Sequence, residues 1–319
     1  MKVISPIFVA TNESVASAQP YLTSSTVAEP DTTRTPAEAT WVAATSYTVG
    51  QRVIRLTTHM VYENILAGVN ATLPETDAAL ATPTRWVRKG ATNRYAMLDT
   101  LRNSKTTTAS PLTVVITPGV RIDSIGLAGI VADTVTISMT SSGSTVYSVT
   151  RNLSTREILN WYDYFFDQFT TAPSVAYFDI PPYTNGIITI TVSDSSGAVS
   201  LGAVVIGPQT YIGQIQYNAE SDEQNFSRID RTFDGTATLI QRRSIPKVNG
   251  SVWSEKNNTN KVRALRTKLN AVPAFWSGLD DLNSDGYFDA LLVIGIYKQF
   301  KINVDSPMHT VINLEIEEI

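Results

Sequence analysis

A mainly β chain is predicted: a small aromatic-bounded β module, a β-sandwich, and a C-terminal α+β domain with one clear helix. Three features of these 319 residues predict it. Ser, Thr and β-branched residues dominate the regular segments, which favours strands over helices. Short apolar runs recur between Gly, Pro, Asp and Ser, the punctuation of a sandwich. One stretch near residue 260 carries a helical period. Hydrophobic residues are 43% of the chain and charged residues 17%, so two or three cores can form.

In chain order, residues 1–37 open with a strand over Val3 to Val9. A polar stretch rich in Thr, Ser, Ala and Pro follows, ending in TTRTPAEAT, and reads as an extended arm or linker. An arm packed on a neighbouring subunit and simple disorder both fit it. Residues 38–92 are bounded by Trp41 and Trp86. Within them Ser46 to Ile54 reads as a turn feeding a strand, and Met60 to Ile65 as a second strand. A segment this small must draw much of its buried area from tryptophan.

Residues 93–210 hold the strand runs LTVVITPG, IDSIGLAGI, TVTISMT, TVYSVTRNL, GIITITVSD and SLGAVVIG. TVTISMT and IITITV alternate apolar with Thr or Ser, the period of half-exposed strands. The insert ILNWYDYFFDQF, residues 158–169, packs six aromatics into a dozen positions. It reads either as a loop or short helix over an open end of the sandwich, or as a subunit interface, where aromatics are enriched. Residues 211–319 contain the helix. Asn258 or Thr259 caps it, Val262, Leu265 and Leu269 share one face, and Pro273 ends it. The strands ALLVIGIYKQFKI and HTVINLEIEEI follow. The second sets Val311, Asn313, Glu315 and Glu317 against Ile312, Leu314, Ile316 and Ile319.

Composition narrows the function classes. Without cysteine, disulfides, thiolate metal sites and cysteine nucleophiles are excluded. A net charge of −4 gives no global attraction to nucleic acid. The basic cluster Lys261, Arg263, Arg266 and Lys268, with Arg242, Arg243 and Lys247 before it, reads as a solvated face or a subunit contact. No signal peptide and no apolar run of membrane-spanning length is visible, so synthesis in a cytoplasm without membrane insertion is expected.

Catalytic chemistry finds little footing. The two histidines, His59 and His309, have no metal-ligand spacing and read as structural residues. No Gly-x-Ser-x-Gly elbow or phosphate-binding loop occurs. The most specific local motif is an acidic loop. Asp281, Asn283, Asp285 and Asp289, with the Tyr287 carbonyl and Gly286 at the sharp turn, follow most of a calcium-loop pattern. Leu292 stands where a bidentate Glu belongs, and Asp280 is a substitute ligand. Calcium as cofactor and a polar turn using the same residue types both fit. A second candidate is the ring set Trp41, Tyr47, Tyr62 and Trp86, available either to stack on a pyranose or to form the module's own core.

The order Trp41, Tyr47, Gly50, Val53, Tyr62, Pro74 and Trp86 resembles the short chitin- and cellulose-binding modules of the family 5/12 type. The resemblance implies a carbohydrate-binding-like β module, in which Trp41, Tyr47, Tyr62 and Trp86 are the rings available to a sugar. It departs after Tyr62, where such modules carry further aromatics and this chain has Glu63, Asn64, Ile65 and Leu66. The wider arrangement resembles a group of tailed-phage structural proteins. The segment Asn93-Arg94-Tyr95-Ala96-Met97-Leu98-Asp99 is similar to an Asn-Arg-Trp-Ala-Met-Phe-Asp stretch in that group. Tyr211, Asp230, Arg231, Asp234, Gly235 and the terminal INLEIEEI are similar to its last domain.

That resemblance implies a non-enzymatic component of a phage tail tip or baseplate, a homo-oligomer with other tail proteins as partners, assembled in the host cytoplasm into the virion. An alternative is a receptor-binding protein that adheres to host-surface polysaccharide through residues 41–90. A glycan-degrading enzyme with an appended module is a third.

Overall fold

The computed structural model describes residues 1–7, 9, 21–155, 159–166, 170–195, 197–278, 291–304 and 306–319. The chain is mainly β, about half strand and a tenth helix, with several sheets and one clear helix.

The sandwich is built from the predicted runs. A five-stranded antiparallel sheet orders Ser144–Asn152, Thr134–Ser141, Ile187–Ser193, Leu112–Thr117 and Tyr21–Ser25. Its Thr-alternating strands bury every second residue, so Val135, Ile137, Ile188 and Ile190 point into one core. That core is closed by a three-stranded sheet of Ser174–Tyr177, Ser124–Ala128 and Ala203–Gly207. All three of its strands are buried throughout. Their alternate residues go opposite ways: Ile125, Leu127, Val204 and Ile206 face the sandwich, while Ala128, Ala176, Ala203 and Val205 face away.

The C-terminal sheet lies on that second face. It runs Gln209–Tyr211, Lys2–Ile4, Ala274–Ser277, Leu292–Asn303, His309–Glu318, Ser244–Glu255 and Gln214–Ile215, with Glu220–Asn225 also paired to Ser244–Glu255. Ile4, Phe275, Leu292 and Ile294 pack on the three-stranded sheet. Val3, Trp276, Val293 and Ile312 point the other way, toward the helix Thr259–Lys268 and its buried Val262, Leu265 and Leu269. The layers are therefore sheet, sheet, sheet and helix.

Several expectations need correction. The first strand is Lys2–Ile4 rather than Val3 to Val9, and it is inserted in the C-terminal sheet between Gln209–Tyr211 and Ala274–Ser277. The polar stretch after it includes Tyr21–Ser25, which joins the five-stranded sheet. SLGAVVIG is two strands that join different sheets, Ala198–Leu201 with Thr106–Ala109 and Ala203–Gly207 with Ser124–Ala128, and Gly202 between them lies against the Arg102 carbonyl, where a Cβ would come to 2.5 Å. The helix ends at Lys268, before Pro273, as Ala271 turns to a φ of 55°. Asn258 precedes the helix without a side-chain cap, and its amide donates to the Tyr211 carbonyl instead. In the last strand the inward position after Ile316 belongs to Glu318, not Ile319. Glu318 is 2% exposed and held by Arg102 at 2.9 Å and by Arg243. Removing one partner of a buried ion pair is costly. Glu318→Ala is expected to lower stability by about 3 kcal/mol, read as a lower urea midpoint; an unchanged midpoint would show the pair to be idle.

Candidate functional site

The 38–92 module is two small sheets, Arg52–Arg55 with Met60–Asn64 and Trp86–Ala91, and Thr45–Tyr47 with Gly68–Asn70, plus a short helix Pro74–Ala78. Its core is Trp41, Tyr47, Val53, Tyr62 and Trp86. All four candidate sugar-binding rings lie inside it, from 0% exposed at Trp86 to 8% at Trp41. Trp86 meets the Tyr47 ring edge-on at 5.1 Å. The Tyr47 hydroxyl bonds both the amide and the carbonyl of Val42. The Arg55 guanidinium lies 4.9 Å over the Trp41 ring and pairs with Glu75. A pyranose needs an open ring face, and none of these four presents one. The sugar-platform reading of Trp41, Tyr47, Tyr62 and Trp86 is corrected accordingly: so small a segment has few other side chains with which to make a core.

The motif spacing has the same structural origin. Gly50 sits at a φ of 82°, and its amide donates to the Asn64 carbonyl, closing the turn that brings Tyr47 and Val53 inward. Asn64 is 1% exposed and donates to the Thr48 carbonyl. Ile65 and Leu66, at the positions where related modules extend a platform, are exposed aliphatics.

A residue not anticipated from sequence organises the closing loop. Asp77 is buried and accepts hydrogen bonds from the Thr84 hydroxyl at 2.7 Å and from the amides of Arg85 and Trp86, each at 2.7 Å. Burial pushes its carboxyl up, but these hydrogen bonds outweigh it and hold the group below its ordinary value of 3.8. A folded-state pKa below the unfolded one adds stability that is complete above 3.8 and is lost as the pH falls through the folded value. Asp77→Asn turns an amide group toward the backbone donors and is expected to cost about 2–3 kcal/mol. It is also expected to flatten the acid-side decline of module stability, read by thermal unfolding between neutral and acid pH. An equally steep decline in the variant would assign it to other carboxylates.

A second buried polar network fixes the module to the sandwich. Glu29 binds His59 Nδ1 and the Thr92 hydroxyl, both at 2.6 Å. Asp31 accepts from Asn93 Nδ2 at 2.6 Å, and Glu38 from the amides of Asp31 and Asn93. Asn93 also exchanges two bonds with the Thr107 backbone. His59 stacks on Tyr95 at 4.0 Å. The segment from Glu29 to Glu38, read from sequence as part of an arm or linker, is thus tied down by its acids. Among the described residues no group of three or more His, Asp or Glu is placed to hold a metal ion. The calcium candidates Asp281, Asn283, Asp285, Tyr287 and Asp289 lie outside the described residues.

Two elements project. The helix Trp161–Phe166 follows the insert's first residues and buries none of its side chains: Leu159, Trp161, Tyr162, Phe165 and Phe166 are each more than 60% exposed. It therefore does not cover the sandwich, because its rings pack on one another rather than on the sheets. The hairpin Arg228–Arg231 with Ala237–Ile240 pairs with nothing else among the described residues. Ile229 and Leu239 face each other across it at 57% and 67% exposure, and Phe233 at its tip is fully exposed. The basic cluster is partly engaged: Arg266 donates to the Phe300 carbonyl, Arg243 binds Glu318, and Lys247 lies near Glu317. No helix among the described residues is long and apolar enough to cross a membrane.

Comparison with protein-family models and with curated protein sequences finds no significant match for the chain.

Proposed function

We propose that this chain is a structural component of a tailed-phage virion, at the tail tip or baseplate, that assembles with copies of itself and with other tail proteins. The observation that carries the assembly half is the hairpin Arg228–Ile240. An isolated two-stranded hairpin is marginal in water, and this one exposes apolar residues that cost free energy until covered. Assembly with symmetry-related copies of the chain is one way to cover such an element. The phage half is supported by the residues that carry the resemblance. Asn93, Tyr95, Ala96, Met97 and Leu98 are buried where module and sandwich meet, so the shared phrase belongs to the architecture. The reading assigns no catalytic residue. Adhesion to glycans through residues 41–90 has no support from the burial of Trp41, Tyr47, Tyr62 and Trp86.

Replacing residues 228–240 by a short Gly-Ser turn tests the assembly. The intact chain is expected to form discrete higher oligomers by analytical ultracentrifugation. The shortened chain is expected to dissociate at least about tenfold more readily, about 1.4 kcal/mol, with an unchanged melting temperature. An intact chain that stays a single copy at all accessible concentrations, or a shortened chain that assembles equally well, would sink the idea.

A further inference from the structure

The C-terminal sheet changes character along one face. Under the three-stranded sheet that face is apolar, at Ile4, Phe275 and Ile294. Beyond the cover the register continues it through Glu317, Glu315, Asn313 and Val311, opposite Lys247, Asn249, Ser251 and Trp253. Asn249, Ser251, Asn313 and Glu315 bring half-buried amide, hydroxyl and carboxylate groups to it, and Ser251 Oγ lies 2.9 Å from Asn313 Oδ1. A shallow cavity of about 520 Å³ lies over Asn249, Ser251, Asn313 and Glu315.

At the end of this polar strip stands a large ring. Trp253 occupies an outward position of an otherwise alternating strand and is 44% exposed. His309, diagonal to it on the neighbouring strand, stacks on the indole at 4.0 Å and 23°. Both rings line a cavity of about 460 Å³. Tyr211, Gln214, Glu255, Asn257 and Lys261 also line that cavity. Its size is within the range that holds small-molecule ligands. The neighbouring strand can pass this close only as glycine: a Cβ on Gly213 would come to 2.2 Å from the Trp253 carbonyl.

We infer that this face binds an oligosaccharide, with one pyranose against the exposed part of the Trp253 indole and the next units lying along Ser251, Asn313 and Asn249. The apolar C–H face of a sugar suits an indole held flat by a stacked neighbour. Amides and carboxylates beside it can bond the sugar hydroxyls and fix its orientation. The site is separate from the 38–92 module and does not depend on the hairpin's role in assembly.

The test is binding of the full-length chain to an array of bacterial surface polysaccharides, followed by calorimetry with the best hexasaccharide and with maltohexaose, cellohexaose and chitohexaose. Binding is expected, with a loss of at least about tenfold in affinity, about 1.4 kcal/mol, for Trp253→Ala, and a smaller loss for Asn313→Ala. Trp161→Ala, an exposed tryptophan elsewhere, is expected to bind as the parent does. The melting temperature of Trp253→Ala should fall only slightly, since the ring lies outside the core and loses little beyond its stacking on His309. Absence of binding to every glycan, binding that survives Trp253→Ala, or a Trp253→Ala variant whose main change is in oligomeric state would each overturn the assignment.

Discussion

Trp86→Ala is expected to unfold the 38–92 module while the rest of the chain stays folded, at a cost of about 3–5 kcal/mol. The ring is fully buried in a core of only five buried side chains, so few neighbours can collapse into the space it leaves. Its backbone amide is one of the donors that Asp77 collects, and its strand pairs Trp86 with Asn64. Loss of the ring therefore loosens the loop, the short helix and both sheets together. Hydrogen exchange reads this directly. Amides of Met60–Asn64 and Trp86–Ala91 should lose protection, while those of Leu112–Thr117 and His309–Glu318 keep theirs. The indole N–H is buried without a hydrogen-bond partner, so Trp86→Phe removes an unsatisfied donor along with some volume and should cost much less. A ring serving as a surface platform would leave protection unchanged in both variants, and that outcome would defeat the core assignment.

The same residues show what was legible in sequence. Strands with strict alternation, such as Thr134–Ser141 and Ile187–Ser193, were predictable because one buried face imposes a period of two. The helix face of Val262, Leu265 and Leu269 was equally plain. The strands Tyr21–Ser25 and Ser174–Tyr177 were not. The first lies in a polar stretch and is short, and the second is buried on both faces with small residues, so neither carries an alternating pattern. Buried acids were hidden for a related reason. Asp31 and Glu318 are inside because of partners distant in sequence, and Asp77 because of a loop that folds back on it, and no local pattern announces either. Trp41, Tyr47 and Trp86 share one small core, but spacing alone does not tell a core ring from a platform ring. Trp253 could have been noticed: it breaks the apolar-inward phase set by Val248 and Val252. An outward tryptophan on an alternating strand is a stronger ligand signal than four tryptophans and tyrosines in a segment too small to do without them.

Gly126→Ala is expected to part the sandwich from the C-terminal sheet. Gly126 lies mid-strand in the three-stranded sheet, paired with Ala176 and Val205, and Phe275 of the C-terminal sheet rests on it. An added Cβ would meet the Phe275 ring at 2.5, 2.6 and 2.8 Å, with no flexible end to yield. Overpacking of this kind costs about 1–3 kcal/mol, and Gly126→Leu should cost more. Phe275→Ala alone opens a cavity and should cost about 3–5 kcal/mol. Combined, the two changes should cost less than their sum, because the alanine methyl occupies space the ring has vacated; the expected coupling is about 0.5–3 kcal/mol. Urea unfolding of the four chains measures the cycle. Strict additivity would mean that the two residues do not press on each other. The three-stranded sheet is the shared wall of two cores, so Gly126→Leu is further expected to split one cooperative transition into two. The sandwich and the sheet that bears Trp253 would then melt separately. A single transition, merely shifted, would place the cooperativity of the molecule elsewhere than in this wall.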